Sequence, residues 1–132
     1  ERLGYRVMAR GAPVDPERIP NDFMREHMPR DGCCGEKELI KLHAWNLTDY
    51  HRAVLLDLDT LLLRSLDELI AMDKELVFTP DPQAGGAQEA VPPFGGGFLV
   101  VRPNPEALHH MISIAQEGDY HPGTGWGGSR IG

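Results

Sequence analysis

At 132 residues, 41% hydrophobic and 25% charged, the chain has the make-up of one packed domain rather than a disordered segment. Thirteen Lys and Arg stand against 20 Asp and Glu, a net charge of -7. That balance argues against a nucleic-acid-binding surface, which carries a basic stripe. An acidic excess suits a divalent-cation site, although solubility is its commoner cause.

No apolar run approaches the ~20 residues of a membrane-spanning helix. The longest, from Ala53 to Leu63, is interrupted by Asp57 and Asp59, so no membrane span is expected. The start at Glu1 and the stop at Gly132, inside a Gly-rich stretch, both read as cuts through a longer protein. Cys33 and Cys34 are adjacent, which matches no zinc spacing and would strain a disulfide between them. Two reduced thiols before a helix are expected. They lean towards a reducing compartment, so the cytoplasm is favoured, with the Golgi lumen as the alternative.

Residues 1–35 form a loop-rich lead-in divided by Pro13, Pro16, Pro20 and Pro29, with a short strand over Leu3 to Met8 and a short helix over Pro20 to Met28. Glu36 to Leu47 reads as a helix, with Leu39, Ile40, His43 and Leu47 on one face and Lys41, Leu42 and Trp45 beside it. Ala53-Val54-Leu55-Leu56 is an unbroken apolar run suited to the buried middle of a parallel sheet. Ser65 to Ala71 looks like a short helix, with Ser65 and Glu68 as a capping box and Leu66, Leu69 and Ile70 as its apolar face.

Leu76-Val77-Phe78 is a second strand and Phe98-Leu99-Val100-Val101 a third, separated by a Gly-, Ala- and Pro-rich loop. Asn104 and Pro105 then open a helix whose buried stripe is Leu108, Met111, Ile112 and Ala115, and Gly118 is placed to stop it. The order helix, strand, helix, strand, strand, helix is α/β. A single domain is expected, with its core over 36–103 and a helix and Gly-rich end over 104–132.

In α/β sheets ligands bind where strands end and loops leave the core. Asp57 and Asp59 stand at such an end. If the chain stays extended there, residues two apart project to one side. Two neighbouring carboxylates repel unless a cation lies between them or one takes a proton. Mg²⁺ or Mn²⁺ would resolve this with oxygen ligands and leave positions open for phosphate oxygens. The alternative reading is structural: one Asp caps the following turn and the other is solvated.

The blocks Lys41-Leu42-His43-Ala44-Trp45-Asn46-Leu47-Thr48-Asp49-Tyr50, Arg52 to Leu61, Leu66-Asp67-Glu68-Leu69, Thr79-Pro80-Asp81-Pro82 and Phe94 to Pro103 resemble, in this order, the glycogenin-like family of retaining glycosyltransferases, family 8. The resemblance is dense over residues 36–103. It implies a partial GT-A-like (Rossmann-like) domain, a mixed sheet flanked by helices. It also implies transfer of a sugar from a nucleotide-sugar donor, usually UDP-linked, to a hydroxyl acceptor with retention. By this match Asp57 and Asp59 are the metal ligands, for Mn²⁺ or Mg²⁺, and Lys41, Leu58, Asp81, Gly96 and Gly97 lie on the donor side.

The match also departs from the family. Where the family has Phe-Asn-Ser-Gly this chain has Phe94-Gly95-Gly96-Gly97, which removes two polar side chains that could hydrogen-bond the sugar. The Asp-Gln pair expected after the next helix is replaced by Gly123-Thr124-Gly125-Trp126-Gly127-Gly128, so no catalytic carboxylate is assigned. The family's first strand would precede Glu1, and the His completing its metal site would follow Gly132.

Several other signals are read as incidental. Gly123, Gly125 and Gly128 fit G-x-G-x-x-G, but they follow Asp119-Tyr120-His121-Pro122 where a dinucleotide site needs a strand before and a helix after. His109 and His110 belong to a polar helix face, Trp45 to the core, and Trp126 is a possible sugar-stacking side chain. Two rival functions follow from the same residues. One is a haloacid-dehalogenase-like phosphotransferase, which also opens with a strand and D-x-D, though Leu61 stands where those enzymes carry Thr or Val. The other is a degenerate relative serving only as a binding module.

Overall fold

A computed structural model of the chain describes residues 4–30, 34–80, 94–121 and 125–126. The chain divides into two compact units, residues 1–43 with 106–132, and residues 44–105.

The first unit is organised by short caps. The Asp15 carboxylate accepts the Glu17 N–H at 3.1 Å, starting a 3₁₀ turn over Pro16–Arg18. Asn21 caps α1 (Asp22–His27) by accepting the Met24 N–H at 3.1 Å, while its amide donates to the Tyr120 carbonyl at 2.9 Å. α3 (Pro105–Glu117) lays its predicted stripe inward: Leu108 and Ala115 are buried, Met111 and Ile112 half-buried. Gln116 joins the lead-in to α3, its side-chain amide exchanging two 3.2 Å hydrogen bonds with the Asp15 backbone. Val14, Ile19, Met24 and Ala115 form the core, with Phe23, Leu39, Ile112 and Tyr120 packed on it. Gly118 ends α3 at φ +63°, a left-handed conformation that Gly adopts without a side-chain clash.

Residues 4–8 form no strand: Tyr5, Val7 and Met8 are exposed, so nothing apolar holds an extended segment in place. The helix expected over Glu36 to Leu47 is present as a 3₁₀ helix, Gly35–Asn46. At three residues per turn, positions i and i+3 eclipse. Ala44 is the buried residue of this helix, Leu39, Leu42 and Trp45 are half-buried, and Ile40 is exposed.

The second unit is built on three strands, β1 (Ala53–Leu56), β2 (Leu76–Pro80) and β3 (Phe94–Val101), in the order β1-β3-β2 with both pairings antiparallel. Helices with this sheet fit a partial α/β domain. The central place belongs to β3, not to β1 as its apolar run suggests. Consecutive residues Leu99, Val100 and Val101 are all buried, and such a run requires cover on both faces. In β1 only Ala53 is buried, and Val54, Leu55 and Leu56 are half-exposed. Ala44, Ala53, Leu99 and Val101 form this unit's core, with Trp45, Leu47, Leu55 and Leu76 against it.

α2 (Asp67–Ala71) starts later than the capping box predicts. Ser65 Oγ accepts the N–H of Asp67, two residues on, at 3.2 Å, so the hydroxyl closes a local turn instead of capping. Arg52 satisfies the other end, donating to the Met72 carbonyl at 2.6 Å and to that of Ile70 at 3.4 Å.

Arg102 bridges Glu75 at 2.6 Å and Asp73 at 2.5 Å, and its N–H donates to the Glu75 carbonyl at 2.8 Å. The hydrogen bond from Arg102, and then its charge, hold the Asp73 carboxyl below its ordinary range. Such a carboxylate adds stability above its unfolded pKa and loses it as pH falls through the lowered folded value. On so exposed a pair the gain is small. Arg102→Met is expected to raise the Asp73 pKa towards the ordinary carboxylate value in an NMR pH titration, and an unchanged value would refute the contact.

Candidate functional site

The chain leaves β1 through a tight turn. Leu56 pairs with Phe98 across the sheet, and Asp57, the next residue, donates its N–H to the Gly97 carbonyl at 3.0 Å. Thr60 then donates to the Asp57 carbonyl at 3.0 Å, closing a four-residue turn with Leu58 and Asp59 at its centre. Neither central residue has positive φ, which excludes type II and the mirror-image turns and leaves a type I-like geometry. The premise of an extended chain through the aspartates does not hold. Asp57 continues the strand's register and is half-buried, whereas Asp59 rides on the exposed turn and Leu58 at its apex is fully exposed at 107%.

β3 is irregular opposite this turn. Phe78 pairs with Leu99 but the next residue, Thr79, pairs with Gly95, so the register shifts across Gly96, Gly97 and Phe98. Bulges of this kind re-aim strands beside functional sites. The run Gly95-Gly96-Gly97 inside a strand pattern was the signal for it, because glycines there mark bulges or close backbone approach. Gly97 lies under Asp57. A methyl group placed on Gly97 would stand 3.1 Å from Oδ2, 3.6 Å from Cγ and 4.0 Å from Cβ of Asp57.

Two sequence blocks some 40 positions apart therefore meet in one place. The structure brings Asp57 onto Gly97, in the bulge, with Leu58 and Asp59 on the exposed turn that follows. Lys41 lies in the first unit, on the 3₁₀ helix, half-buried and ion-paired with Glu38 at 2.6 Å. Asp81 lies outside the described residues.

Asp57 and Asp59 each carry oxygen donors of the kind a hard divalent ion takes, and the space over Gly97 is filled by the first of them. Among the described residues no group of three or more His, Cys, Asp and Glu is gathered to hold an ion. His109 and His110 are exposed on α3. Of the glycine-rich end only Gly125 and Trp126 are described, as β5 (Gly125–Trp126) pairing antiparallel with β4 (Tyr120–His121). Among the described residues no helix is long and apolar enough to cross a membrane.

No family model matches the chain, and no solved structure does. Individual proteins do. The chain is 37% identical over 79 residues to glycogenin-1 of Oryctolagus cuniculus, covering 60% of this chain and 22% of that protein. It is 37% identical over 84 residues to glycogenin-1 of Caenorhabditis elegans, 63% of this chain and 18% of the relative. A protein of Arabidopsis thaliana named as a glucuronosyltransferase, PGSIP8, is 33% identical over 84 residues, 64% of this chain and 15% of its own length. The matched segment thus spans about a fifth or less of each of these relatives.

Proposed function

We propose, from its similarity to glycogenins and to a protein named as a glucuronosyltransferase, that the chain is a partial member of the glycogenin-like glycosyltransferase family and forms the donor side of an enzyme transferring a sugar from a nucleotide-sugar, UDP-linked, to a hydroxyl acceptor with retention. The observation that carries this reading is the meeting of the Asp57–Thr60 turn with the Gly96–Gly97 bulge at the end of β1. One relative is named for glucuronosyl transfer and the others as glycogenins, so their shared feature is glycosyl transfer and not one particular sugar.

In this reading Asp57 and Asp59 hold Mn²⁺ or Mg²⁺. When bound, the ion would offset the charge of the nucleotide diphosphate as it leaves. Asp57 presents its carboxylate from the end of β1, and Asp59 presents its own from the turn. Leu58 stands between them on the donor side. The bare backbone at Gly96 and Gly97 leaves room for the donor.

Calorimetry of a UDP-sugar titrated into the intact protein, with and without Mn²⁺, tests the proposal. Binding should depend on the metal. Binding of equal strength in its absence would overturn it.

A further inference from the structure

We infer that Gly97 is a positioning residue for Asp57: the side chain it lacks is the space in which the Asp57 carboxylate stands. For the metal this rests on the donor-site reading above, but the steric part stands by itself. Gly97 has no left-handed φ, so its backbone conformation alone does not call for glycine. The three heavy atoms nearest to a Cβ built there all belong to the Asp57 side chain. A Cβ at Gly11, by contrast, would have nothing within 4 Å.

The pairing explains why the contact falls there. Asp57 follows Leu56 in the antiparallel register with Phe98, which sets it opposite Gly97, and facing residues of such a pair lie on one side of the sheet. At 3.1 Å from Oδ2, an added methyl is closer than ordinary van der Waals contact and requires the carboxylate to shift by a few tenths of an ångström. Distances in credible metal sites lie within about 0.2 Å of their usual values, so a shift of this size matters to a ligand. Gly97→Ala therefore displaces a ligand without removing it.

The test has two arms on the intact protein. In the first, Mn²⁺ binding is followed by electron paramagnetic resonance for the wild type, Gly97→Ala and the control Gly11→Ala. Gly97→Ala should bind on the order of 10-fold more weakly, as when a metal ligand's support is removed, and Gly11→Ala should match the wild type. In the second, metal-free melting is measured for Gly97→Ala, Asp57→Ala and the double variant. Gly97→Ala should lower Tm in the native background and cost nothing in the Asp57→Ala background.

Wild-type Mn²⁺ affinity in Gly97→Ala, or an equal Tm loss in both backgrounds, overturns the inference. Should Gly97→Ala fail to fold, the double variant must recover the fold, and failure to do so also overturns it. A wild type that binds no Mn²⁺ removes the proposed function instead, and the melting cycle still decides whether Gly97 seats Asp57.

Discussion

Asp59→Asn should weaken Mn²⁺-dependent nucleotide-sugar binding by on the order of 100-fold while barely changing stability. The two effects separate because of where Asp59 sits. Its side chain is exposed on the turn after β1, so exchanging it for an amide leaves the packing and the Thr60–Asp57 backbone hydrogen bond in place. The amide keeps the shape but loses the charge that makes a carboxylate a strong ligand for a hard cation. An exposed substitution of this kind typically changes stability by no more than about 0.5 kcal/mol. Asp57→Asn should lose the ion similarly, but its half-buried position beside Gly97 makes any change in folding harder to separate from binding. Calorimetry at fixed Mn²⁺, paired with urea unfolding, reads both quantities. Donor affinity that survives both substitutions would leave the metal reading without support.

The largest stability effect is expected at the end of α3. Gly118→Ala should destabilise the protein by about 2–4 kcal/mol, combining the cost of a left-handed L-residue with that of overpacking. Gly118 sits at φ +63°, and a methyl there would lie 2.3 Å from Ile19 Cγ2. Ile19 is fully buried in the cluster with Val14, Met24 and Ala115, and its branched side chain has few rotamers to retreat into. Urea unfolding should show a lower midpoint at constant slope. Adding Ile19→Ala should recover the steric share of the added cost but not the backbone share. A Gly118→Ala protein as stable as the wild type would contradict the packing of α3's end on Ile19.

The elements with strong local chemistry were legible in the sequence. Pro105, the stripe Leu108, Met111, Ile112 and Ala115, and Gly118 specify α3 almost to its ends, because propensity, capping and hydrophobic period agree. The apolar runs at Ala53–Leu56, Leu76–Phe78 and Phe98–Val101 each lie in a strand of the one sheet. The D-x-D position and the blocks around it were enough to suggest the family.

Which strand lies in the middle was not legible. Ala53–Leu56 and Phe98–Val101 look alike as apolar runs, and only the burial of three consecutive residues in β3 separates them. The 3₁₀ form of Gly35–Asn46 was hidden as well, because its apolar residues suit both a period of 3.6 and one of 3.0.

The same division holds at the candidate site. Local sequence determined that two carboxylates follow an apolar strand. That the chain turns at Asp57, that Asp59 rides outward, and that Gly97 lies beneath the Asp57 carboxylate depend on cross-strand register. Register is a relation between segments far apart in the chain, set when side chains on both are buried together, and no single stretch of sequence contains it.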